Sequence, residues 1–105
     1  METVMVPQPV ARLFGLLGFC SDSEWELVRS LVLGRKARKG AERLLQSLLG
    51  KLGLIDDDDE PTPDGTQVVR FLGQWPDWQD SDDAQFILPD GQNVQDAWPD
   101  AEWAG

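Results

Sequence analysis

In the first half of the chain the apolar positions recur at helical spacing. Val10, Leu13, Phe14 and Leu17 fall at i, i+3, i+4 and i+7, the stripe of one helical face. Pro9 suits the first turn of that helix and Gly18 its end. A second start is written in Ser21-Asp22-Ser23-Glu24, a capping box in which the Ser21 hydroxyl accepts from the amide three residues on and Glu24 reaches back. Trp25, Val28, Leu31 and Val32 then share a face, which predicts a second helix ending near Gly34 with Trp25 in the core. Leu44, Leu45, Leu48, Leu49 and Leu52 predict a third helix, stopped at Gly53. Gly50 inside it costs about 1 kcal/mol of helix propensity.

Beyond Leu54 the pattern changes. Pro61-Thr62-Pro63-Asp64-Gly65 has the chemistry of a turn. Val68, Val69, Phe71 and Leu72 suit a short strand or a final helix, and a helix over residues 66–73 is the reading adopted. Further on, Ala84-Gln85-Phe86-Ile87-Leu88 and Gln92-Asn93-Val94 flank Pro89-Asp90-Gly91, the pattern of a short hairpin. Trp75-Pro76-Asp77-Trp78 is echoed by Trp98-Pro99-Asp100, but two copies do not make a repeat architecture. The expected fold is mainly α with a small β element. A three-helix domain over residues 1–73 is followed by an acidic, tryptophan-rich segment over residues 74–105 that packs on the domain or on a partner.

Charge divides the 105 residues more sharply than hydropathy does. Up to Leu54 there are eight Lys and Arg against five Asp and Glu; from Ile55 on there is one base, Arg70, against fourteen acids. The net charge of −10 argues against a simple nucleic-acid binder, which carries a basic footprint. Such asymmetry fits either an acidic tail or a surface that offers negative charge to a basic partner. A single cysteine, Cys20, leaves no internal disulfide and suits a reducing compartment. No basic segment precedes the first apolar stretch, and no run nears the roughly 20 apolar residues of a membrane span. The expected location is cytoplasmic, without membrane contact.

Catalytic chemistry finds few footholds. The chain has no His, which removes Ser-His-Asp and Cys-His arrangements and most zinc sites. No Gly-rich phosphate loop with its Lys is present. A calcium loop counted from Asp56 needs Gly at its sixth position and Glu at its twelfth, where Pro61 and Gln67 stand; counted from Asp80, the sixth is Gln85. Trp-Pro-Asp also occurs in the acid loop of tyrosine phosphatases, but that chemistry needs an Arg six residues after its Cys, and Glu26 follows Cys20 at that spacing. The expectation is a protein without enzymatic activity and without a cofactor or metal.

Three short helices, then Leu52-Gly53-Leu54-Ile55, an acidic turn and Thr62-Pro63-Asp64-Gly65, resemble a winged helix-turn-helix domain. The resemblance covers about residues 10–73. It implies a recognition helix over residues 41–51, a wing over residues 55–61, and the Thr-Pro-acid-Gly run as the start of the last helix. It also implies DNA contact from Lys39, Arg43, Gln46 and Lys51. Wings that touch DNA carry Arg or Lys, whereas this one carries Asp56, Asp57, Asp58, Asp59 and Glu60, and five carboxylates oppose a phosphate backbone.

Two candidate surfaces follow. The first is acidic and aromatic: Asp56, Asp57, Asp58, Asp59 and Glu60, with Trp75, Trp78, Asp80, Asp82, Asp83, Trp98 and Trp103. Rings among charges suit a partner's basic, apolar groove, since tryptophan is enriched at binding hot spots; the alternative is that these rings fold back on the helical domain. The corresponding function is an adaptor, or an inhibitor whose negative face occupies a basic protein surface, as a nucleic-acid mimic of the phage or anti-defence type does. The second surface is Arg35, Lys36, Arg38, Lys39, Arg43 and Lys51. It would serve a winged-helix DNA-binding regulator with an acidic autoinhibitory tail, stand as a solvated loop, or pair with the chain's own acidic half.

Overall fold

The computed structural model describes residues 2–18, 20–79 and 83–97. Its elements in chain order are β1 (Glu2–Met5), α1 (Gln8–Leu17), α2 (Asp22–Val32), α3 (Gly40–Lys51), α4 (Pro63–Gln74), β2 (Ala84–Ile87) and α5 (Val94–Ala97). The fold is mainly helical with one two-stranded parallel sheet. None of the described helices is long and apolar enough to cross a membrane.

The helix ends follow their local chemistry. α1 stops at Gly18, which makes the last helical bond, N–H to Phe14 O at 2.8 Å, and whose φ of 71° then turns the chain out of the helix. α2 opens on the expected capping box, with both reciprocal bonds between Ser21 and Glu24 formed. α4 begins three residues before the start that the apolar pattern predicts, because Thr62 caps it by accepting from Gly65 N–H at 3.1 Å and Pro63 fits the first turn. Residues 61–65 are therefore a bridge, a cap and a first helical turn, not a free turn. Gly65 needs no positive φ there; it is needed for room, since a Cβ at this position would sit 2.0 Å from Leu54 O.

α4 packs against both α1 and α2, while α3 is seated on α2. The seat is shallow. Leu49 is the one fully buried residue of α3, and Leu44 stays 76% exposed.

The segment after α4 enters the same core. Trp78, Ala84, Phe86, Leu88 and Val94 are buried in one cluster with Val10, Phe14, Trp25, Val28 and Phe71. Trp78 stands at its centre, edge-to-face with Phe14, Trp25, Phe71 and Phe86 at 5.5–6.1 Å between centroids. Each such pair adds about 0.5–1.5 kcal/mol to simple burial. Gly73 is thus not a boundary of the core.

The sheet differs from the expected hairpin. β2 pairs with β1, parallel, in the register Glu2↔Ala84 to Met5↔Ile87. The turn at Pro89-Asp90-Gly91 does form, with Leu88 N–H on Gln92 O and Gly91 at φ 92°. The returning chain makes only the bridge Ile87↔Asn93 before α5 begins.

Candidate functional site

Residues 56–60 form an ordered acidic tip on the connection between α3 and α4. Leu54 and Ile55 are buried and anchor the chain as it leaves α3, and Ile55 bridges Pro61 in antiparallel fashion. Thr62 donates its hydroxyl to Gly53 O and its N–H to Leu54 O. Inside this frame Asp56 N–H donates to Glu60 O at 2.9 Å and Asp59 N–H to Asp56 O at 3.0 Å. The Asp56 carboxylate accepts from Asp58 N–H at 2.9 Å and Glu60 N–H at 3.0 Å. Asp59 takes the left-handed conformation, φ 60°, which aspartate tolerates better than most residues.

One carboxylate is therefore spent on holding the loop, and Asp57, Asp58, Asp59 and Glu60 project from it. All five side chains are exposed, and none joins an ion pair among the described residues. The like-charge run is solvated, yet tied down by its own first residue. The tip also abuts the end of α2: a Cβ at Gly34 would lie 3.9 Å from Asp59 O.

The other acidic and aromatic candidates scatter. Trp78 is 1% exposed, so it supports the fold and is no surface anchor. Its apolar neighbours come from α1, α2, α4 and β2, none of them adjacent in sequence. Trp75 is half-buried with its ring 5.2 Å from Phe86, leaving part of one ring outside. Asp83 is exposed. Asp80, Asp82, Trp98 and Trp103 lie outside the described residues.

The basic candidates lie on the connector before α3 and on α3 itself. Arg35 pairs with Glu42 at 3.6 Å, and the Arg38 N–H donates to the same Glu42 at 3.0 Å. Lys36, Arg38, Lys39, Arg43 and Lys51 are exposed, and their side chains join no ion pair among the described residues. Pairing between this cluster and the acidic half is not formed there. Among the described residues, the one ion pair that joins the halves is Arg12 with Asp64 at 3.1 Å, on α1 and α4.

Gln79 is a residue that sequence patterning does not reveal. It is 2% exposed; its carbonyl oxygen accepts from Trp25 Nε1–H at 2.8 Å and from Cys20 N–H at 3.0 Å, and its amide donates to Gly18 O at 3.4 Å. A lone Gln after Trp-Pro-Asp-Trp has no periodicity to mark it as buried. Nearby, burial pushes the Cys20 thiol up to about 11, and Glu24 adds a smaller push in the same direction. That thiol is neutral and poorly nucleophilic at pH 7.

Comparisons with protein-family models, with curated proteins and with solved structures find no match to this chain.

Proposed function

We propose that the chain is a non-enzymatic binding module whose acidic tip occupies a basic surface of a partner protein, as an adaptor or an inhibitor. One observation carries this reading: four exposed carboxylates stand on a loop whose geometry is fixed by the Asp56 carboxylate and the Ile55–Pro61 bridge. A preformed charge array loses little conformational entropy on binding. It speeds encounter with a basic partner and fixes orientation more than it adds raw affinity.

The test neutralises the tip without disturbing its frame. Asp57→Asn, Asp58→Asn and Glu60→Gln together remove three charges and leave Asp56 in place. Capture from an extract of the source cell is expected to yield one basic protein with the parent chain at low salt, and to lose it at high salt and with the triple variant. Equal capture by parent and variant refutes the reading.

A second reading has its own support. Lys39, Arg43 and Lys51, from which with Gln46 the winged-helix resemblance expects DNA contact, are exposed on a shallowly seated α3 and its N-cap, and Lys36 and Arg38 are exposed just before it. Titration of the full chain with duplex DNA at low salt tests it; binding with a steep salt dependence favours the DNA-binding regulator. The full chain is required, because the core extends past Gly73.

A further inference from the structure

The two-stranded sheet has an open edge. Val6 N–H donates to Ile87 O at 2.9 Å, continuing the parallel register Val4↔Phe86 and Met5↔Ile87. Both backbone groups of a strand residue point to the same side, and successive residues alternate. Val4 and Val6 therefore face β2, and the N–H and C=O of Thr3 and Met5 face away from it. Those four groups meet no hydrogen-bond partner among the described residues.

They open on a groove of about 440 Å³ between β1 and α4, lined by Thr3, Met5, Gln67, Arg70, Gln74 and Trp75 among others. Gln67, Arg70 and Gln74 stand at i, i+3 and i+7, one face of α4. Arg70 is the sole base beyond Ile55; it is exposed, and it joins no ion pair among the described residues. Glu2 lines the same groove without pairing with it.

We propose that this groove receives an extended peptide of another protein as a third strand on β1, with one carboxylate of that peptide held by Arg70. An unpaired strand edge is a template for strand addition, in which main-chain bonds give affinity and side chains give specificity. The guanidinium fork can take a carboxylate in two parallel bonds, with the Gln67 and Gln74 amides as further donors on either side. The surrounding half of the chain repels acid, so an acidic residue is accepted only at the Arg70 position. This surface is separate from the acidic tip and does not depend on the tip's partner.

The probe is a random heptapeptide library displayed on phage and selected against the full chain. Enriched sequences are expected to share an Asp or Glu at one fixed position. With a synthetic peptide of that sequence, replacing its acid by the amide, or making Arg70→Gln, each weakens binding about tenfold by calorimetry. The two changes together weaken it no further than either alone. Met5→Pro removes an N–H that makes no bond to β2, so it keeps the circular dichroism of the parent and abolishes binding. Four results overturn the proposal: no enrichment over Met5→Pro, peptides that bind Arg70→Gln as well as the parent, unfolding of Met5→Pro, or a parent dimer that Met5→Pro dissolves. The last assigns the edge to a second copy of this chain.

Discussion

Replacing Gln79 by Leu tests how the segment after α4 is locked to the rest of the fold. The leucine keeps the bulk of the side chain and removes every polar atom. Trp25 Nε1–H, bonded to Gln79 at 2.8 Å in a buried position, is left without its acceptor. Cys20 N–H, bonded at 3.0 Å and part-buried, loses its acceptor too. A stranded buried donor costs about 1–3 kcal/mol, so one full and one partial loss amount to about 3 kcal/mol. That is a large share of the roughly 5–15 kcal/mol that holds a domain folded. The assay is urea unfolding followed by far-UV circular dichroism, run as a cycle with Trp25→Phe. In the Trp25→Phe background the indole N–H is already gone, so Gln79→Leu strands one donor fewer and costs about 1.5 kcal/mol less. A cost below about 1 kcal/mol, or the same cost in both backgrounds, would refute the assignment of Gln79 as the acceptor that joins the two segments.

Three other outcomes are expected. Ending the chain at Gly73 removes Trp78, Phe86, Leu88 and Val94 from the core at about 2 kcal/mol for each large side chain; the shortened chain should show no cooperative urea transition. Gly65→Ala forces a Cβ to 2.0 Å from Leu54 O, and displacing that backbone costs about 3 kcal/mol or more by thermal unfolding. Cys20, raised from 9.0 to about 11, should alkylate slowly at pH 7 and speed up well above pH 9. Glu24→Gln keeps the capping box and brings the thiol part of the way down. For linkage, the unfolded thiol ionises first, so the unfolded state binds fewer protons between about pH 9 and 11 and this group's share of stability falls with rising pH there.

The helices were legible because their signals are local. Val10, Leu13, Phe14 and Leu17 repeat at a period that one element alone explains, and the Ser21–Glu24 box states its own start. The acidic tip was legible as charge but not as structure, since the bonds from Asp56 to two amides depend on Ile55 meeting Pro61. What sequence patterning missed is non-local. Glu2–Met5 is a strand only because Ala84–Ile87, some eighty residues on, offers it a ladder. The burial of Trp78, offered as a surface ring from its Pro, Asp and Gln surroundings, depends on Phe14, Trp25, Phe71 and Phe86, which are scattered along the chain. Gln79 is invisible for the same reason: its partners lie 54 and 59 positions away.

The closeness of the tip to the end of α2 makes a single variant decide between the two functional readings. Gly34 sits against Asp59, and the basic connector starts at the next residue, Arg35. The tip therefore lies beside the start of the basic connector. In water, two unit charges about 10 Å apart interact by about 0.4 kcal/mol before screening, and the Debye length is about 8 Å at physiological salt. Removing three charges with Asp57→Asn, Asp58→Asn and Glu60→Gln then shifts an affinity severalfold at low salt and little at high salt. The direction separates the readings. A basic protein partner loses affinity with the triple variant, because the charges it recognises are gone. Duplex DNA gains affinity, because the carboxylates that repelled its phosphates and offset Arg35, Lys36, Arg38 and Lys39 are gone. Measuring both ligands on both proteins at low salt gives opposite signs for the two mechanisms, and a triple variant that tightens DNA binding severalfold while leaving protein capture intact would reverse the preference for the acidic face.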